Sequence, residues 1–136
     1  MLRTETRGRA RALQLLYGSE TTGRSVAELV PGLARLTGPE PLVLDFAERL
    51  AAGVSEDREA LDRRIGEATE HWRPSRLSVI DRNILRLAAF ELAHELVPAR
   101  VAIDEAIWLA QRFGTRESPR FVNGVLDRIA RDLGRL

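Results

Sequence analysis

The sequence predicts an all-α fold, and three observations carry that expectation. No stretch alternates apolar and polar residues between turn signals, as a half-buried strand would. Apolar residues three and four apart recur in nearly every segment instead. Serine, proline and glycine punctuate the chain at helix-length intervals, where starts and stops belong. With 136 residues, 44% of them apolar and 30% charged, the chain is long enough for a compact soluble domain with its own core.

The first helix is expected from Thr4 to Leu16 or Tyr17, stopping at Gly18, with Leu13, Leu16 and Tyr17 facing inward and Thr21 to Arg24 as a loop. Ser25 and Glu28 form a capping box that starts a short helix at Val26, which Pro31 should bend or end. Gly38, Pro39 and Pro41 break the chain. A third helix begins near Pro41 with Leu44, Leu50 and Ala51 on one side, open to interruption at Gly53 and Ser55. Leu61 and Ile65 continue it, with a kink, toward Thr69, and Pro74 closes the first half.

Ser78 and Asp81 cap a central helix reaching about Leu96, in which Ile80, Ile84, Leu87, Ala88, Glu91 and Leu92 cover much of the circumference. Pro98 and Gly114 bracket the next helix, whose stripe is Ile103, Ala106, Ile107 and Ala110. Ser118 and Pro119 open the last, with Phe121, Val125, Ile129 and Leu133 four apart. That spacing places Asn123 and Gly124 inside the helix, and close approach of a neighbouring helix should offset the glycine.

Composition removes much of enzymology. All 21 basic residues are arginine and there is no cysteine, so a Schiff-base or phosphate-loop lysine, a thiol nucleophile, a disulfide and a thiolate zinc site are all excluded. Coding bias toward arginine is a simpler account of the missing lysines than a demand for guanidinium. The two histidines, His71 and His94, stand on different elements without a metal-ligand pattern, and no cofactor is expected. Met1 to Arg11 holds no apolar signal core, and no apolar run approaches the roughly 18 to 20 residues that cross a bilayer, so a cytoplasmic protein without membrane association is expected.

The total charge of +1 hides a polarity. Residues 1–12 carry Arg3, Arg7, Arg9 and Arg11 against Glu5, whereas residues 40–70 carry nine carboxylates against four arginines. Arg3, Arg7 and Arg11 repeat every fourth residue and form one ridge on a helix, extended by Gln14. Guanidinium forks on such a ridge suit phosphate oxygens, while a merely solvated face is the simpler use of charge. The acidic middle either keeps the chain soluble or docks a basic partner such as a ribosomal protein. Asp104 and Glu105 point about 100° apart and form no acid–base pair; Arg100 is the natural partner of Asp104. Trp72 and Trp108 fit either a core or the interface of a homodimer.

Four stretches taken together resemble the N-utilisation substance B (NusB) family of bacterial transcription antitermination factors. These are Arg7-Gly8-Arg9-Ala10-Arg11-Ala12-Leu13-Gln14-Leu15-Leu16-Tyr17, the central Ile80 to Leu92, Pro98 to Gly114, and Ser118-Pro119-Arg120-Phe121-Val122-Asn123-Gly124-Val125-Leu126-Asp127. The resemblance implies about seven helices in two small helical subdomains and no catalytic activity. It also implies that, with NusE, itself a small-subunit ribosomal protein, the chain binds the box A element of nascent ribosomal RNA and helps RNA polymerase resist termination. Arg7 and Arg9 fall on the family's RNA-contacting basic motif, Arg3 and Arg11 extend it, and Tyr17 falls on the motif tyrosine. Arg86, Phe113, Glu117 and Phe121 match positions placed near RNA. Gly8 stands where a larger residue is common, and Asp104 where Asn is usual.

Four phosphate contacts imply a salt slope of about −3 for single-stranded RNA, at roughly 0.7 per contact. Removing Arg7 and Arg9 together is expected to flatten it without unfolding the chain. A helix-turn-helix DNA regulator is the rival class, but Val101 to Phe113 is too apolar and acidic for a recognition helix. A helical accessory module of an RNA-modifying enzyme is the other, and would need a catalytic domain on another chain.

Overall fold

A computed structural model describes residues 3–70 and 74–136, so Trp72 and His71 lie outside the described residues. Among the described residues it holds seven α-helices, one short 3₁₀ turn and no strand. The chain divides into two compact units, residues 1–56 and 57–136. The boundary lies between Glu56 and Asp57 rather than at Pro74, because the run expected as one kinked helix is two helices belonging to different units.

The first unit comprises α1 (Thr4–Thr22), α2 (Val26–Thr37) and α3 (Pro41–Glu56), each packed on the other two. Helix α1 does not stop at Gly18. A side chain there would press on Leu29 of α2, so this glycine admits a neighbour rather than ending a helix. The helix continues until Gly23 takes a left-handed conformation and donates its N–H to the Ser19 carbonyl. Ser25 starts α2 by accepting from the Glu28 N–H, as its sequence indicates. Pro31 does not end it: the lost bond is outweighed by packing on α1 and α3, and the helix runs to Thr37. Gly53 and Ser55 likewise leave α3 intact, with Val43, Ala47, Leu50, Ala51 and Val54 as its buried face.

The second unit comprises α4 (Arg58–Ala68), the turn Pro74–Arg76, α5 (Val79–Ala93), α6 (Ala99–Phe113) and α7 (Ser118–Asp132). Helix α5 packs on the other three, the central position its apolar circumference predicts. Ser78 caps it through the Asp81 N–H. It ends at Ala93, three residues early, because Glu95 adopts a left-handed conformation. Arg135 then donates to the carbonyls of Leu92 and Val97 at 2.6 and 3.0 Å, capping the chain reversal. Leu109 rather than Ile107 completes the buried stripe of α6. Gly124 lies inside α7 as expected, but no neighbouring helix approaches it: a Cβ there would meet nothing within 4 Å.

Candidate nucleic-acid interface

At about 100° per residue, Arg3, Arg7, Arg11, Gln14 and Tyr17 fall within one arc of roughly 120° on α1, and Arg9 falls outside it. The structure follows that division. Arg3 is exposed, Arg7 and Arg11 are half-buried, and Arg11 donates to Gln14 Oε1 at 2.7 Å, which ties the ridge along its length. Tyr17 is 45% exposed, so it belongs to the ridge and not to the core where the apolar pattern placed it. Arg7 is paired with Glu40 just before α3, a carboxylate that competes with any phosphate at Arg7.

Arg9 is buried, its guanidinium 5.7 Å from the Phe46 ring centroid. Phe46 also explains Gly8. A Cβ at Gly8 would stand 2.4 Å from Phe46 Cδ1, so only glycine lets the basic turn of α1 lie against α3. Removing Arg9 therefore disturbs packing as well as charge, and the expectation that the Arg7 and Arg9 double substitution spares the fold is revised for Arg9.

The remaining predicted residues lie on the second unit. Arg86 is buried, not presented at the surface, and its guanidinium grips Asp62 of α4 with two bonds of 2.7 and 2.9 Å while reaching Asn83 Oδ1 at 3.1 Å. This fork joins α4 to α5. Phe113 and Phe121 are half-buried and Glu117 is exposed, around the turn from α6 to α7. Ser118 holds that turn by accepting from the Thr115 N–H at 2.9 Å. Phe121 lines an open pocket of about 490 Å³ with Ala68, Thr69, Glu70, Arg120, Gly124 and Val125. The bare backbone at Gly124 is part of that opening.

Sequence reading missed Glu40, Phe46 and Asp62, each a non-local partner of a predicted arginine. They account for part of the acidic middle: Glu40 and Asp62 pair with Arg7 and Arg86, Asp45 with Arg49, and Asp57 with His94. Arg100 and Asp104 pair as expected, at 3.9 Å. No group of three or more candidate ligands able to hold a metal ion occurs among the described residues. No helix among them is long and apolar enough to cross a membrane.

The NusB family model matches residues 6–131. The chain belongs to the NusB family. It is 45% identical to the transcription antitermination protein NusB of Sorangium cellulosum, over 95% of this chain and 93% of that protein. Among solved structures, T. maritima NusB superposes with a TM-score of 0.85 at 36% identity, covering 97% of this chain and 94% of its own. A crystal structure of antitermination factors NusB and NusE in complex with dsRNA also has a TM-score of 0.85, at 24% identity and with 97% and 99% covered, and shares the fold. In this NusB family member the fold of two small helical subdomains is thus the one its sequence motifs imply.

Proposed function

We propose that this protein is a non-catalytic transcription antitermination factor of the cytoplasm that, together with NusE, binds box A-type single-stranded RNA in the RNA polymerase antitermination complex. The observation that carries the reading is the accessible arginine ridge of α1 in a chain that belongs to the NusB family. Arg3, Arg7 and Arg11 supply guanidinium groups to successive phosphates, and Tyr17 offers a ring face at the end of the same arc. Phe113, Glu117 and Phe121 form a separate contact on the second unit, where aromatic faces and a carboxylate acceptor suit unpaired bases. Arg9 and Arg86 act indirectly, by holding α1 on α3 and α4 on α5.

The relatives support this reading by name, being transcription antitermination proteins, and one structure of the same fold was solved with NusE and dsRNA. Phosphate contacts alone carry no sequence information, so choice of box A rests on base contacts and on the partner. The test is binding of box A RNA and of a scrambled RNA, each with and without NusE. Preference for box A in the presence of NusE is expected; equal affinity for both RNAs in that mixture contradicts the reading.

A further inference from the structure

We propose that the outer end of α6 is an additional single-stranded RNA contact, in which Trp108 and Phe113 offer ring faces to an unpaired nucleobase and Arg112, Arg116 and Arg120 take the adjoining phosphates. The inference rests on the RNA-binding reading above and extends it from Phe113, which that reading already uses, to Trp108, Arg112, Arg116 and Arg120.

The core stripe of α6 is Ala102, Ile103, Ala106, Leu109 and Ala110, and Trp108 stands off it, half-buried. One turn later Arg112 is exposed, with its guanidinium carbon 5.7 Å from the Trp108 centroid and 6.0 Å from that of Phe113. The cation thus links Trp108 to the surface at the α6–α7 turn, so the patch is continuous with Phe113 and Glu117. Arg116 and Arg120, both exposed, carry the positive charge through the turn into α7.

Pairing separates these arginines from others on the same two helices. Arg100 pairs with Asp104, Arg128 with Asp132 and Arg131 with Asp127, each four residues away. Among the described residues, no carboxylate lies within ion-pair distance of Arg112, Arg116 or Arg120. Their only acidic neighbour in the sequence is Glu117, so this short stretch keeps a surplus of positive charge. Two aromatic faces beside uncompensated guanidinium groups match a base with its phosphate. Unpaired RNA fits better than a duplex, whose bases are stacked on one another already.

The test uses box A RNA flanked on both sides by a short uridine tract, measured by fluorescence anisotropy across salt concentrations with the full chain. Trp108→Ala is expected to weaken binding roughly tenfold, in the range of one lost base stack. Trp108→Phe, which keeps a ring face, should restore most of that loss. Arg112→Gln, an exposed change that keeps the fold, should reduce the steepness of the salt slope by about 0.7. Wild-type affinity and slope in Arg112→Gln, together with wild-type affinity in a folded Trp108→Ala, overturn the inference and leave the α1 ridge untouched. Should Trp108→Ala fail to fold, an unchanged slope in Arg112→Gln suffices to overturn it. Unchanged RNA binding with lost NusE association would make this face a protein contact and overturn it equally. Failure of the wild-type protein to bind the RNA at all would instead overturn the reading on which it rests.

Discussion

The two units use the same residue type in opposite ways. On α1 of the first unit, Arg3, Arg7 and Arg11 lie along an accessible arc; on α5 of the second, Arg82 and Arg86 are turned into the interior. Arg82 donates to the Leu77 carbonyl at 2.7 Å, and Arg86 holds Asp62 by a two-pronged ion pair. A guanidinium kept in water remains exchangeable between partners, whereas one taken out of water must be fully matched by protein acceptors. An all-arginine chain can thus build an accessible ridge and a structural clamp from one side chain, and environment alone separates them.

The largest expected effect lies on the clamp. Arg86→Ala leaves Asp62 facing a void and should destabilise the second unit by about 3 kcal/mol, the low end for a broken buried pair because Asp62 is partly solvated. Urea denaturation measures it, and a loss no larger than that of a surface arginine would remove the distinction drawn here. Next comes Gly8→Ala. The added methyl must displace the Phe46 ring, at a cost of about 1–3 kcal/mol, which a denaturant midpoint shift would show.

On the exposed side the effects move from stability to affinity. Glu40→Gln releases Arg7 from its partner and should tighten RNA binding by less than about 1 kcal/mol, a few-fold in Kd by titration. Arg7→Lys should have the smallest consequence: the salt slope stays, while affinity falls slightly as the fork geometry is lost. Equal loss of slope in the lysine variant would show that more than charge is involved.

What could be read in advance depended on whether its cause was local. Caps at Ser25 and Ser78, and the bracket of Pro98 and Gly114, are decided by side chains a few residues from the backbone they satisfy. The course of α1 through Gly18 and of α2 through Pro31 was not legible, because each is decided by another helix packing against it. Glu95 ended α5 early through a left-handed residue that carries no glycine to announce it. At the site, residue identities were legible and environments were not. The burial of Arg9 follows from its angle on α1, a signal present in the sequence, but the Arg86–Asp62 pair joins residues on separate helices and leaves no local trace. Motif similarity conveyed the fold and the family without distinguishing arginines that stay accessible from arginines built into the interior.

The claim that the α1 ridge meets the RNA backbone is tested most directly by the salt dependence of RNA binding. Wild-type protein should be compared with a variant carrying Arg3→Ala, Arg7→Ala and Arg11→Ala, both confirmed as folded by thermal melts. Losing three phosphate contacts should make the slope of log K against log salt shallower by about 2, at roughly 0.7 per contact, with little change in melting temperature. A slope equal to that of the wild type would contradict the assignment of this ridge.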